Sequence, residues 1–203
     1  MEYLIAAITG YLFGSVNMAY IISKSRGVNI KAVGSHNAGA SNVFISVGKV
    51  FGVAVGAFDV LKAFCASQLI AFLFPETFEA AVFAGVMAIV GHIFPFWMKF
   101  SGGKGLAPFM GTVLFVDWRV FIAFAVIIAA ITLITDYIAV GTLVVSLLMP
   151  IYAAAAKYGV FLTVIFALLC ALIWFKHIDN IKRLLKGEEI GMFGKNKKKS
   201  VKQ

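Results

Sequence analysis

Residues 159–176 read GVFLTVIFALLCALIWFK, a run in which the only charged residue is the final lysine. A helix of that length covers about 27 Å, close to the hydrocarbon thickness of a bilayer. Similar runs recur along the whole chain, and only 13% of the 203 residues are charged, against about a quarter in soluble domains. The sequence therefore predicts an all-α fold, a polytopic transmembrane helix bundle, with no room for a separate soluble domain.

We expect about seven transmembrane helices. They are predicted at residues 3–23, 50–74, 79–98, 105–117, 119–135, 137–156 and 159–176. The fourth would cover only about 20 Å, so six spans plus a re-entrant segment is the alternative. Residues 1–190 are expected to form a single transmembrane domain, and residues 191–203 a basic, disordered cytoplasmic tail. The opening MEYLIAA lacks the positive start of a cleaved signal peptide, so we expect this run to stay in the mature protein.

The distribution of basic residues predicts the orientation. The first loop contains four basic residues and no acid, the second loop two glutamates and no base, and the third loop two lysines. Nine further Lys and Arg lie from Lys176 onward, within a net charge of +9. With an odd number of spans, the N-terminus lies outside and the C-terminus in the cytoplasm. Three polar segments, at 34–42, 100–105 and 176–189, then share the cytoplasmic face and could form one site.

The first polar segment, GSHNAGASN at 34–42, is unusual in a chain that is 62% hydrophobic. It supplies hydroxyl and amide groups from Ser35, Asn37, Ser41 and Asn42, which suit the oxygens of polyols and phosphates. Gly39 adds backbone freedom to the same run. The alternative, an Asx-type cap before the next helix, accounts for Asn42 alone.

The second polar segment is SGGKG at 101–105. Gly102 and Gly103 would let backbone N–H groups approach an anion, and Lys104 would add a charge. If Gly105 opens the fourth helix, the helix dipole contributes as well. The spacing is not that of a Walker A loop. The alternative is a flexible turn with a lysine that only helps to set the orientation.

The third polar segment, HIDNIKRLLKGEE at 177–189, follows the last hydrophobic run. His177 stands where that run ends and could accept a proton near neutral pH. Asn180, Arg183 and Lys186 follow at steps of three, so they lie along one side of a helix. The alternative is an interfacial amphipathic helix held by its basic residues.

Ionisable residues also occur within the hydrophobic runs. Asp59 and Lys62 are three residues apart, and we expect them to neutralise each other. His92 precedes Pro95 by three residues, and we expect a structural role for it beside a proline kink. Cys65 and Cys170 have no metal-binding or disulfide pattern and are expected to be small buried hydrophobic residues.

The motifs GSHNAGASNVF, DVLK, GHIFPFWMKFSGGKG and HIDNIKRLLKGEE occur in that order. Together they resemble the PlsY family of bacterial integral-membrane glycerol-3-phosphate acyltransferases, over residues 5 to 190. The resemblance implies transfer of a fatty acyl group from acyl phosphate to the sn-1 hydroxyl of glycerol 3-phosphate. It implies no metal or organic cofactor, because the acyl phosphate is already activated. The expected location is the bacterial inner membrane, and the expected partners are the two substrates and membrane lipid, with no nucleic acid and a monomeric state.

The resemblance also implies roles for individual residues. The expected catalytic residues are Ser35, Lys104 and His177. The expected substrate-binding residues are Asn37, Gly39, Ser41, Asn42, Gly102, Gly103, Gly105 and Asn180. Lys49 is added to them as a nearby cation and is not itself implied by the resemblance. Glu189 matches a carboxylate that looks structural in the family.

One departure from the family affects the predicted function directly. The family has arginine where this chain has Ile45, and that arginine looks like a principal cation for substrate phosphate. Lys49, four residues on, would compensate if it lay one helical turn away on the same face, and His36 could supply a weaker positive group. The other readings are an inactive or re-specified paralogue and, from a different class, a transporter of a phosphorylated substrate.

Overall fold

The computed structural model describes residues 1–194, and all regular structure in that part of the chain is helical. The ten α-helices are α1 (Glu2–Ser15), α2 (Met18–Ser25), α3 (Ala40–Ser46), α4 (Lys49–Leu73), α5 (Phe78–Ile93), α6 (Leu106–Val116), α7 (Trp118–Thr135), α8 (Ile138–Ala155), α9 (Val160–Lys176) and α10 (Ile178–Lys186). A 3₁₀ turn, Phe96–Met98, lies between α5 and α6. The all-α prediction is confirmed. Most of the predicted tail, from residue 195 onward, lies outside the described residues.

All seven predicted runs correspond to helices, but the first loop and the first run differ from prediction. The first run is broken at Val16, whose backbone is extended, and Asn17 caps α2 by accepting a hydrogen bond from the Tyr20 amide. The first loop contains α3, which was not predicted. The third run ends at Ile93, two residues before Pro95, so the proline follows a helix end and does not kink a continuous helix.

Five helical segments have the length and composition to cross a membrane, or six if α9 and α10 form one bent span. The remaining apolar helix, α6, has 11 residues and covers only about 16 Å. The count of seven spans is therefore not confirmed. If the first three spans each cross once, the loops after Ser25 and after Met98 lie on the same side of the membrane.

The first compact unit, Met1–Phe121, is organised around α5. Helix α1 packs along α5 through small residues, and a side chain added at Gly10 or Gly14 would overlap the α5 backbone at Ala84 or Ala88. Such close backbone contact is the usual way that membrane helices associate. Helix α4 packs on the same helix and also contacts α3 and α6. The end of α5, with His92, is thereby fixed against both α1 and α4.

The second compact unit begins at Ile122. Within it α8 packs on α9, and the chain then bends by 52° into α10. Helix α10 ends at Gly187, whose φ of +71° permits a left-handed cap. The cap is a Schellman motif, in which the amides of Gly187 and Glu188 bond to the carbonyls of Leu184 and Arg183. The cap reverses the chain, so the residues after Gly187 return along α10.

Candidate active site

The polar loop at 34–42 is organised by the side chain of Asn42, which is buried. Its Nδ2 lies 2.9 to 3.0 Å from the carbonyls of Ile30, Val33 and Asn37, so one of its two protons is shared between two acceptors. Its Oδ1 accepts hydrogen bonds from the Ser35 amide and, at 3.1 Å, from the Ser46 hydroxyl. The N-cap of α3 is Gly39. The reading of Asn42 as an Asx-type cap is therefore wrong, and its amide is used to hold the loop together.

The other predicted polar residues of this loop remain accessible. Ser35, Asn37 and Ser41 are partly exposed, while Gly39 is buried. The loop is attached to the helices by Asn17, whose Nδ2 donates to the Ala38 carbonyl at 3.2 Å. The loop is thus a folded structure that presents three polar side chains.

Ile45 occupies the position where the family has an arginine, and its surroundings differ from those expected. Ile45 lies on α3 and is 39% exposed. Helix α3 ends at Ser46, and a two-residue break at Val47 and Gly48 precedes Lys49, the first residue of α4. The expectation that Lys49 lies one helical turn from Ile45 on the same face is therefore wrong. The exposed ring of His36 contacts the Lys31 carbonyl through Nδ1 at 3.1 Å.

The two adjacent glycines of the second polar segment are held against the end of α5. The amide of Gly102 donates to the Ile93 carbonyl and that of Gly103 to the His92 carbonyl, both at 3.0 Å. A Cβ added at Gly103 would overlap Nε2 of His92. These two amides are therefore committed to α5. Glycine is required at both positions because a side chain would not fit against α5. The prediction that these N–H groups are open to an anion is therefore wrong.

The prediction that Gly105 opens the helix after the glycine segment is confirmed. Gly105 is the N-cap of α6, with φ of +96°, so Lys104 immediately precedes the helix N-terminus. The first turn of α6 contains Pro108, which has no N–H to leave unsatisfied. A lysine and the positive end of a helix dipole are thus adjacent in the chain, which is a suitable arrangement for binding phosphate.

A buried ionic cluster in the first unit was predicted only in part. Lys62 lies 2.6 Å from Asp59 in α4, which confirms the expected pair. The same ammonium also donates to the Val16 carbonyl at 2.8 Å and contacts Nδ1 of His92 at 3.0 Å. Because His92 also lies against Gly103, this cluster reaches the glycine segment.

In the second unit, His177 stands at the bend between α9 and α10 and is 4% exposed. Its Nδ1 lies 2.8 Å from the Ile173 carbonyl. A carbonyl oxygen can only accept, so Nδ1 carries the proton of this hydrogen bond. The lone pair of the neutral ring is then on Nε2, which is the arrangement that a general base requires.

Asn180 and Glu189 are joined in the same unit. Nδ2 of Asn180 donates to one carboxylate oxygen of Glu189, and Nε of Arg183 donates to the other at 2.8 Å. Farther along, the carboxylate of Asp136 accepts from the Phe193 amide at 2.7 Å. The segment after α10 is therefore held at two points. Glu189 was predicted as structural, whereas nothing in the sequence pattern singled out Asp136.

The two cysteines of the described chain are free. Cys65 is exposed and Cys170 is partly exposed, so the expectation that both are buried is wrong. Both lie on apolar helices, and a small polarisable side chain is compatible with a lipid-facing surface as well as with a core.

These features define a class of protein. The first unit combines apolar helices long enough to span a membrane with a folded polar loop and a lysine that directly precedes a helix N-terminus. These are the features of an integral-membrane protein that handles an anionic substrate.

Comparison with known proteins identifies the family. Residues 4–187 match the family described as glycerol-3-phosphate acyltransferase. The chain is 36% identical to glycerol-3-phosphate acyltransferase 1 of Oceanobacillus iheyensis, over 96% of this chain and 99% of the relative. It is 37% identical to the glycerol-3-phosphate acyltransferase of Brucella canis, over 91% and 90%. The chain therefore belongs to the glycerol-3-phosphate acyltransferase family.

Solved structures narrow the family to its PlsY branch. The chain is similar to PlsY, an integral membrane glycerol 3-phosphate acyltransferase, in its glycerol 3-phosphate form, with a TM-score of 0.88 and 31% identity. That match covers 94% of this chain and 96% of the PlsY chain. The lysophosphatidic acid form of PlsY matches with a TM-score of 0.85. The resemblance inferred from the four motifs is thus confirmed.

Proposed function

We propose that this protein transfers a fatty acyl group from acyl phosphate to the sn-1 hydroxyl of glycerol 3-phosphate. The observation that carries the proposal is the position of Lys104 directly before the N-cap of α6, in a chain of the PlsY family. Both substrates are phosphorylated, so their recognition requires cations and oriented backbone dipoles. The exposed apolar surfaces of the spans suit a donor that arrives from the bilayer.

The reaction balances without an added oxidant or cofactor. The sn-1 oxygen forms a bond to the acyl carbon, and the bond from that carbon to the phosphate oxygen breaks. The products are lysophosphatidic acid and inorganic phosphate, and the hydroxyl proton leaves through a base. Because the mixed anhydride is activated, the enzyme mainly has to align two anionic partners and stabilise developing charge.

Roles for the loop residues follow from their accessibility. Ser35, Asn37 and Ser41 contact the acceptor through hydroxyl and amide groups, and Lys49 adds a positive charge beside them. Asn42 and Gly39 shape the loop. Lys104 and the N-terminus of α6, opened by Gly105, bind phosphate, while Gly102 and Gly103 fix that segment to α5.

His177 is assigned to proton removal. The hydrogen bond from its Nδ1 to the Ile173 carbonyl supports this role, because it places the lone pair of the neutral ring on Nε2. Asn180, held by Glu189, is assigned to substrate binding. The assignment of both residues to the same reaction as Lys104 rests on the family motif.

The protein is proposed to work as a monomer in the bacterial inner membrane, with its C-terminus in the cytoplasm. The bias of basic residues toward the first and third loops and the tail supports this orientation. The acyltransferase names of the relatives favour an enzyme over the transporter alternative.

The test uses the full-length protein purified in detergent and supplied with palmitoyl phosphate and glycerol 3-phosphate. Phosphate release and lysophosphatidic acid formation, followed by mass spectrometry, are expected in equal amounts. Phosphate release that is independent of glycerol 3-phosphate would indicate simple hydrolysis and contradict the proposal. Binding of glycerol 3-phosphate without product would indicate an inactive paralogue.

A further inference from the structure

The buried cluster of Asp59, Lys62 and His92 is not explained by the pairing of two charges. The ammonium of Lys62 forms an ion pair with the Asp59 carboxylate at 2.6 Å, donates to the Val16 carbonyl at 2.8 Å and contacts Nδ1 of His92 at 3.0 Å. An ammonium is a donor only, so it can serve the carbonyl and the ring nitrogen at the same time. Lys62 is 5% exposed and Asp59 1% exposed, and both lie well inside a membrane-spanning helix. Such groups are costly at that depth and usually have a function.

The cluster determines which edge of His92 reaches the glycine segment. Because Nδ1 accepts from the Lys62 ammonium, the proton of the neutral ring is on Nε2. Nε2 lies where a Cβ of Gly103 would be. The Gly103 amide in turn donates to the His92 carbonyl. The ring and backbone of one residue therefore hold the segment that leads to Lys104.

The same ammonium also reaches toward the polar loop. Its acceptor, the Val16 carbonyl, lies at the break between α1 and α2. The next residue, Asn17, caps α2 and donates through Nδ2 to the Ala38 carbonyl. A continuous path of directed contacts thus runs from Ala38, through Asn17 and Lys62, to His92 and Gly103.

We propose that Lys62, oriented by Asp59 and acting through His92, is a positioning residue that fixes the glycine segment relative to the polar loop. The proposal rests on the proposed function, because it assigns these two segments to the binding of one substrate pair. It explains why an ammonium occupies a site where an apolar side chain would cost less to bury. The ammonium pairs with Asp59 on its own helix and also contacts two other elements, the α1–α2 break and α5, which an apolar side chain could not do.

The test compares the double variant Asp59→Asn, Lys62→Met with the wild type. Both charges are removed together, because a single unpaired charge buried in the membrane would itself strongly destabilise the fold. The KM for glycerol 3-phosphate is expected to rise about tenfold, with a smaller change in kcat, because misplacement of a binding group by about 1 Å is enough for such losses. Hydrogen exchange at the Gly102 and Gly103 amides is expected to accelerate. Ser67→Ala is the matched control. Ser67 lies in the same helix, and its buried hydroxyl has no hydrogen-bond partner, so this variant should change neither the KM nor the exchange rate.

A second variant keeps the test decisive if the double variant does not fold. His92→Leu keeps a side chain of similar volume and the Asp59–Lys62 pair but removes the ring nitrogen that links Lys62 to the glycine segment. The same rise in KM and the same faster exchange are expected. Wild-type KM and wild-type exchange in either folded variant would overturn the proposal.

The exchange measurement separates this proposal from the proposed function. If the wild type releases no phosphate, the acyltransferase proposal fails, and exchange at Gly102 and Gly103 alone decides the positioning role. If the wild type is active while the variants exchange as slowly as the wild type, only the positioning role fails.

Discussion

Nδ2 of Asn180 lies 2.6 Å from a carboxylate oxygen of Glu189, and this contact joins α10 to the segment that returns after Gly187. Both side chains are more than nine-tenths buried. A charged acceptor makes this hydrogen bond stronger than one between neutral groups. The carboxylate therefore fixes the orientation of the Asn180 amide.

Glu189→Ala is expected to destabilise the second unit and lower kcat/KM. Loss of the carboxylate leaves Asn180 and Arg183 without their shared acceptor, at a cost of about 1–3 kcal/mol. Thermal unfolding and phosphate release measure the two effects. Glu188→Ala is the matched control, because the neighbouring carboxylate is exposed. Equal losses in both variants would show that the Asn180 contact has no special role.

Gly103→Ala is expected to lower activity by at least about tenfold, since the new methyl group would displace either His92 or the segment before Lys104. Gly56→Ala is the control, because a Cβ there would make an ordinary contact of 3.6 Å with Ala40. The control should be neutral or slightly stabilising, as alanine favours helices. Normal activity in Gly103→Ala would contradict the close packing against His92.

Asn42→Asp is expected to be as damaging as Asn42→Ala, although it keeps the size of the side chain. The carboxylate would face the carbonyls of Ile30, Val33 and Asn37, to which the amide now donates. Each lost bond at a buried group costs about 1–3 kcal/mol. Thermal unfolding measures the effect, with the exposed Asn29→Ala as control. If Asn42→Asp were as stable as the wild type, the amide donors would not hold the loop.

Ile45→Arg is expected to lower the KM for glycerol 3-phosphate by roughly tenfold. This change corresponds to the free energy that one hydrogen bond to a charged group contributes to binding. Ile45 is 39% exposed, so the longer side chain can be accommodated. Val50→Arg, at a position that is 79% exposed, adds the same charge and controls for general attraction. Equal KM values in Ile45→Arg and the wild type would mean that another cation already serves this function.

Much of the fold could be predicted because the helices follow the length of the hydrophobic runs, and few polar residues interrupt those runs. The run at 159–176 corresponds to α9, Val160–Lys176, and the other long runs match nearly as well. The break at Val16 was missed because it depends on distant partners. Lys62 binds the freed Val16 carbonyl, and no local breaker such as proline marks the position.

The sequence identifies the polar groups of the candidate site but not the contacts that they make. The polar loop, Lys104 and His177 are evident as polar residues in an apolar chain. The use of Asn42 as the centre of its loop is a tertiary contact pattern that residue type does not reveal. The hydrogen bonds from the Gly102 and Gly103 amides to α5 could not be predicted from the sequence either. Glycine occurs both in anion-binding loops and at positions of close packing, so the residue type does not distinguish the two.

The rate of phosphate release from palmitoyl phosphate with glycerol 3-phosphate tests the central claim most directly, in the wild type and in Lys104→Ala. Lys99→Ala, at an exposed lysine in the same connection between α5 and α6, is the matched control. We predict release that depends on glycerol 3-phosphate in the wild type and in the control, and a loss of at least about a hundredfold in Lys104→Ala. Wild-type release no faster than that of Lys104→Ala would contradict the account.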